Sequence, residues 1–177
     1  VTDVVQEKAA GGFDAVFIAI GAHISKKTDI PSRDAGQILD ALTFLKDTEA
    51  GQAPKLGRKV AIYGGGNTAM DAARGAKTLG YEPLLIYRRD REHMPAHDFE
   101  AEEALSEGVK IHWLRTIKSI DQQSFTVEVM RIENGRPVPT GEVETLEADS
   151  LILALGQDTD TDFLKKTPGM ALSLKKI

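Results

Sequence analysis

The chain has 177 residues, 41% of them hydrophobic and 28% charged, with a formal net charge of −5. That length and balance fit one globular domain with its own hydrophobic core, and the acidic excess argues against general nucleic-acid binding, which needs a basic footprint. The absence of cysteine excludes disulfides, thiolate metal sites, cysteine-ligated iron–sulfur clusters and a redox-active dithiol from this chain. No apolar run approaches the roughly 18 residues that span a bilayer.

The first ten residues are mixed and polar, without the pattern of a signal peptide, so the setting read from them is cytoplasmic. The chain opens on Val1 rather than methionine, and the expectation is a piece cut from a longer protein. In chain order, residues 14–20 (DAVFIAI) read as a strand and 35–48 as a helix. Residues 49–57 (EAGQAPKLG) form a linker, followed by a strand at 59–63 (KVAIY), a helix over 68–79 and a strand at 83–87 (PLLIY). A helix over 98–107 and a weaker strand at 109–113 (VKIHW) come next. Gly80 and Gly108 stand where helices end on a glycine. From 117 to 148 the pattern switches to period two, with Phe125, Val127 and Val129 alternating with Thr126, Glu128 and Met130, and Asn134-Gly135 signalling a hairpin. A last apolar strand lies at 151–155 (LILAL). Short, nearly all-apolar strands alternating with helices predict an α/β fold. The expected fold is a Rossmann-like parallel sheet with helices on both faces, plus an antiparallel meander of about three strands before the last parallel strand.

The segment VAIYGGGNTAMDAAR (60–74) carries the chemistry. Gly64, Gly66 and Ala69 fit G-x-G-x-x-G/A, after a predicted strand and opening a predicted helix. Gly64 permits a tight turn, Gly66 lets the backbone approach a pyrophosphate, and Ala69 lets the helix pack close to the strand. The helix N-terminus then offers N–H groups and partial positive charge to phosphates. Gly65 completes the loop, and Asn67 and Thr68 add side-chain hydrogen-bonding capacity. The alternative, a turn without a ligand, fits the glycines alone but not the whole strand–loop–helix context. The next strand ends in Arg88-Arg89, and Arg88 lies 24 residues after Gly64. An NAD site places a carboxylate near this position; two guanidinium groups suit a 2′-phosphate instead. The expected cofactor is NADPH. The competing reading makes the two arginines solvated charges, or partners of Asp90 and Glu92.

GGGNTAMDAAR (64–74), YRRDREHMPA (87–96), FDAVFIAIGA (13–22) and ADSLILALGQDTD (148–160) together resemble the glutamate synthase small-subunit family, pyridine-nucleotide-dependent flavoproteins with two dinucleotide-binding domains. The resemblance covers nearly the whole chain. It implies a single NAD(P)H-binding domain over 1–177 excised from a larger FAD-containing oxidoreductase, with 1–34 and 157–177 as crossings toward the FAD domain. It implies Gly64, Gly66 and Asn67 at the pyrophosphate, Arg88 and Arg89 at the 2′-phosphate, and Gly21 and Gly156 near the FAD–nicotinamide junction. It also implies that the 14–20 strand belongs to the FAD domain. The family's own FAD-binding glycine motif, its second FAD segment and its cysteine-rich cluster domain are not in this sequence, so FAD is expected to be bound mainly by other parts of the parent. Thioredoxin reductases share the arginine pair but carry Cys-x-x-Cys, which this chain lacks. The implied partners are the FAD domain of the same parent and, beyond it, a large synthase or iron–sulfur subunit, with neither nucleic acid nor membrane.

No residue stands out as catalytic. His93 and His97 are four apart, but Pro95 between them breaks the helical geometry that a shared metal needs, so no metal site is expected. Three functions compete: an NADPH-holding module whose parent passes a hydride to a flavin, a non-catalytic nucleotide-binding regulatory or assembly module, and a complete small dehydrogenase. The last lacks a substrate domain and a Tyr-x-x-x-Lys pair. The first is favoured, with the fragment alone inactive in redox turnover.

Overall fold

Residues 60–62 form a continuous apolar run, and in the computed structural model Val60, Ala61 and Ile62 keep no exposed surface. A strand covered on both faces has this composition because neither side of its pleat meets water. The structure describes residues 3–26, 28, 30–31 and 37–167. In chain order the elements are α1 (Val4–Gly11), β1 (Ile24–Ser25), β2 (Gln37–Asp40), α2 (Ala41–Glu49), β3 (Lys59–Tyr63), α3 (Asn67–Thr78), β4 (Glu82–Tyr87), α4 (Asp98–Ser106), β5 (Lys110–Trp113), β6 (Arg115–Ile120), β7 (Ser124–Glu133), β8 (Arg136–Glu147), β9 (Ser150–Leu153) and β10 (Gln157–Asp158), with a short 3-10 turn at Leu164–Lys166. The chain divides into two compact units, Ser25–Gly156, and Val1–Ile24 with Gln157–Ile177.

The larger unit is built on a five-stranded parallel sheet of order β2-β9-β3-β4-β5. From β3 the chain proceeds outward through β4 to β5, and then returns to place β9 on the other side of β3. That reversal makes the gap between the C-terminal ends of β3 and β9 a topological switch point, where open α/β sheets hold their ligands. On one face Phe44 of α2, Ala69, Met70, Ala72, Ala73 and Ala76 of α3, and Ala101 and Ala104 of α4 pack against Val60, Ile62, Leu85 and Ile152 of the sheet. The alanines let α3 approach the strands closely. On the other face Ile117, Ile120, Phe125 and Val127 of the antiparallel meander β6-β7-β8 cover Ala61, Ile86 and Leu151.

The helix stops have a defined geometry. After α3, Gly80 takes φ 88°, its N–H donates to the Lys77 carbonyl, and the Tyr81 N–H donates to Ala76. After α4, Gly108 (φ 85°) and Val109 repeat the pattern on Leu105 and Ala104. Both are Schellman caps, which use the left-handed conformation that glycine adopts without strain. Asn134 (φ 50°) and Gly135 (φ 72°) form the turn between β7 and β8; positive φ at both positions matches the twist of the flanking strands.

Two expectations need correction. The helix expected over 35–48 begins only at Ala41; Gln37–Asp40 is an edge strand paired in parallel with Ser150–Leu153, and residues 35 and 36 lie outside the described residues. Asp40 ends that strand and caps α2, its carboxylate accepting from the Thr43 N–H at 3.1 Å. A helix N-cap takes extended backbone, so Asp40 can close β2 and open α2 at once. The strand expected at 14–20 does not form among the described residues. Phe17 is 91% exposed and Phe13 62% exposed, and a strand exists only when a neighbouring backbone satisfies its N–H and C=O groups. In the smaller unit, the regular element before this run is α1. Asp3 caps it through the Val5 and Gln6 N–H groups, and Gly12 (φ 64°) ends it.

Candidate nucleotide-binding site

The loop between β3 and α3 is three glycines, and each meets a different environment. Gly64 has φ 155° and donates its N–H to the Ile86 carbonyl at 3.1 Å. A Cβ on Gly64 would stand 2.1 Å from the Ala154 carbonyl oxygen, and one on Gly65 would stand 2.4 Å from the Tyr87 ring. Those two glycines are therefore required by the protein's own packing. Gly66 is different: nothing lies within 4 Å of the position its Cβ would take. It is the N-cap of α3, which begins with no side-chain cap and no acidic residue in its first turn. The positive end of the helix dipole thus faces open space at the switch point, a setting that attracts an anion.

A second loop is strapped onto the first. The Ala96 N–H donates to the Gly65 carbonyl at 3.1 Å, the His97 N–H donates to the Asn67 Oδ1 at 3.2 Å, and the Tyr87 hydroxyl donates to the His93 carbonyl at 2.9 Å. Asn67 therefore spends its side-chain oxygen inside the protein. Burial pushes the Tyr87 phenol up, although the neighbouring Arg89 and Arg88 charges pull the other way. Between these straps lie the arginines. Arg88 is exposed and Arg89 half-buried. Asp90 instead bonds His93, with the ring Nδ1 2.6 Å from Asp90 Oδ1, and Arg91 pairs with Glu102 at 2.9 Å. The hydrogen bond from His93 holds the Asp90 carboxyl below the usual carboxylate range. Among the described residues neither Arg88 nor Arg89 has an ion-pair partner within 4 Å, and the buried Nε of Arg89 has no hydrogen-bond partner. Of the competing reading of these arginines, partnership with Asp90 or Glu92 does not occur among the described residues, while the exposure of Arg88 is equally that of a solvated charge.

The remaining expected residues are placed separately. Thr68 stands in the first turn of α3. Gly156 follows β9 with φ 93°, and its carbonyl accepts from the Lys26 N–H at 3.0 Å. Gly21, in the smaller unit, has φ 63° with open space on its Cβ side. A cavity of about 450 Å³ lies elsewhere, at the N-terminal ends of β3, β4 and β5, lined by Lys59, Lys77, Glu82, Lys110 and His112 among others. Burial, helped by the charge of Arg115, holds the His112 imidazole below its usual range. This is the end of the sheet away from the glycine loop, where α/β folds do not place their cofactor. No group of three or more potential metal ligands occurs among the described residues.

The profile of the pyridine nucleotide-disulphide oxidoreductase family matches residues 1–177. The chain belongs to that family. Within it, the chain is 34% identical to the NADPH-Fe(3+) oxidoreductase subunit beta of Geobacter sulfurreducens, covering 97% of this chain and 28% of that protein. It is 36% identical to the NADP(+)-dependent formate dehydrogenase subunit beta of Moorella thermoacetica, over 92% of this chain and 25% of that one. It is 32% identical to the glutamate synthase [NADPH] small chain of Azospirillum brasilense, over 80% and 34%. The chain thus spans about a third or less of the length of these relatives, which are small or beta subunits of multi-subunit enzymes. Among solved structures, thioredoxin reductase from Lactococcus lactis superposes with a TM-score of 0.58 at 21% identity, over 81% of this chain and 45% of that one, a likeness of fold. No helix among the described residues is long and apolar enough to cross a membrane.

Sequence reasoning missed the parts of the site that only other elements supply. The Ala154 carbonyl and the Tyr87 ring, which make Gly64 and Gly65 obligatory, come from the residue after β9 and from the end of β4, brought to the loop only by the sheet. The straps from Ala96 and His97 carry no local signature.

Proposed function

We propose that this chain is the NADPH-binding domain of a flavin-dependent oxidoreductase similar to the glutamate synthase small subunit, holding NADPH for hydride transfer to an FAD bound mainly by other parts of the parent protein. The observation that carries this reading is the pairing of an open, uncapped helix N-terminus at Gly66 with two arginines that have no ion-pair partner among the described residues, at the end of the adjacent strand. A family of pyridine-nucleotide oxidoreductases uses NAD(P) and FAD in general; the residues at 88 and 89 favour the phosphorylated form here.

When bound, NADPH supplies a hydride, and the flavin accepts it. The chain's residues bind and orient. The Gly66 backbone and the start of α3 take the pyrophosphate, with Thr68 beside it. Asn67 keeps the loop in shape through its bond to His97. Arg88 and Arg89 grip the 2′-phosphate through charge-assisted bonds. Residues 1–34 and 157–177, with Gly21 and Gly156, serve as crossings toward the FAD domain. The chemistry requires no acid, base or nucleophile from this chain.

Isothermal titration of NADPH and NADH tests the reading. Arg88→Ala and Arg89→Ala should each weaken NADPH by about tenfold or more, since a hydrogen bond to a charged group contributes about 1.5–3 kcal/mol, and should leave NADH nearly unchanged. Gly66→Val, whose Cβ would meet nothing within 4 Å, should abolish both without unfolding the chain. Equal losses for both nucleotides in the arginine variants, or none, would remove NADPH from the assignment.

A further inference from the structure

The arginine pair lies beside a part of the fold that the nucleotide motif does not include. Leu114 takes φ 55°, a left-handed conformation unusual for a branched, non-glycine residue. In that conformation its N–H donates to the Arg89 carbonyl at 3.1 Å while its own carbonyl accepts from the Met130 N–H at 2.8 Å. Two hydrogen bonds therefore join the end of β4 to the middle of β7. Beyond Met130 the β7–β8 hairpin is a separate arm. Its register shifts between Glu128 and Met130, opposite Gly141 (φ 85°), and a shift of this kind bends a strand pair. The arm's tip comes back to the site: a Cβ on Gly135 would stand 3.9 Å from His93 Nε2, in the loop that follows the arginines. Backbone strain of the Leu114 kind persists only where surrounding structure imposes it, and it concentrates at ligand clamps.

The residue after that tip is Arg136. It is exposed, and among the described residues it has no ion-pair partner within 4 Å. Its cross-strand neighbour Glu133 is held by Arg131 at 2.6 Å instead. Arg136 therefore adds an exposed cation to the hairpin tip whose Gly135 lies against His93, in the loop that follows Arg88 and Arg89, and like charges gathered on one side of a site favour an anion there.

We propose that the distal half of the β7–β8 hairpin is a third wall of the dinucleotide site, fixed to the end of β4 through Leu114, and that Arg136 contributes to selection of a 2′-phosphorylated nucleotide. This inference rests on the NADPH reading of Arg88 and Arg89 and adds the meander to it. The meander then has two roles: its proximal half closes the sheet face with Ile117, Phe125 and Val127, and its distal half faces the ligand.

The test uses the 177-residue chain, with 2′,5′-ADP, 5′-ADP, NADPH and NADH as probes. Arg136→Ala should weaken 2′,5′-ADP and NADPH about three- to fivefold, the scale of an exposed ion pair, and leave 5′-ADP and NADH unchanged. Arg136→Lys should recover part of the loss. Lys118→Ala removes an equal charge from the same meander on β6, away from the hairpin tip and from Glu133, and should change nothing. If Arg136→Ala is silent while Arg88→Ala and Arg89→Ala discriminate against the phosphorylated probes, the hairpin is no part of the site and only this inference falls. If Lys118→Ala matches Arg136→Ala, the effect is general charge and the inference also falls. If no arginine variant distinguishes the probes, the NADPH reading falls with it.

Discussion

Two runs in this chain look alike on paper and end differently. Residues 59–63 (KVAIY) and 14–20 (DAVFIAI) are both apolar, β-branched and followed by a glycine, Gly64 and Gly21. The first becomes β3, paired with β4 on one side and β9 on the other, and its middle residues are fully buried. The second forms no ladder among the described residues and leaves Phe17 91% exposed. Their glycines differ in the same way. Gly64 is pressed against the Ala154 carbonyl, whereas Gly21 has open space around it. An apolar run is thus a licence to be buried; a strand also needs two backbones to pair with and two layers to cover it. Under the proposed function the second run finds its neighbours in the FAD domain.

Substitutions sharpen the contrast. Ile62→Ala should destabilise the chain most, by about 2–5 kcal/mol, because it deletes a fully buried side chain between the helix layer and the sheet; urea unfolding followed by circular dichroism would read this, and a loss below about 1 kcal/mol would break the comparison. The loss of NADPH affinity in Arg88→Ala and Arg89→Ala is the next largest effect and should come with an unchanged unfolding midpoint, since neither guanidinium has an ion-pair partner to lose among the described residues. Smallest of all, Phe17→Ser should shift stability by no more than about 0.5 kcal/mol, as for an exposed position away from packing, and should reduce self-association by removing exposed apolar surface. A large loss from Phe17→Ser would mean that the run is packed in solution and that the two segments are less different than they stand here.

Much of the fold was legible because it follows from local rules. KVAIY, PLLIY and the alanine face of α3 announce strands and a close-packed helix by composition. Gly80 and Gly108 announce stops because their caps need positive φ, and Asn134-Gly135 announces a hairpin for the same reason. The glycine loop between β3 and α3 was legible because a strand, a glycine triplet and a helix follow in order, while the role of Arg88-Arg89 belongs to the proposed function. The first turn of the expected 35–48 helix was not. Gln37, Ile38 and Leu39 are ambiguous alone, and they become a strand because Ser150–Ile152, more than 100 residues later, offer them a parallel partner.

By itself, then, the sequence determined most of the element types, the stops, the glycine loop and the positive charge beside it, since each depends on neighbouring residues and on backbone sterics. Tertiary structure alone decided which apolar runs would pair, that the meander rather than another layer of helices would cover Ala61, Ile86 and Leu151, and that Asn67 would turn its oxygen inward to His97. It alone brought the tip of the β7–β8 hairpin to His93, through a Leu114 backbone that its own sequence disfavours. These outcomes share a physical cause: they rest on backbone groups and surfaces contributed by residues distant in the chain, whose free energy appears only when the sheet has closed around them.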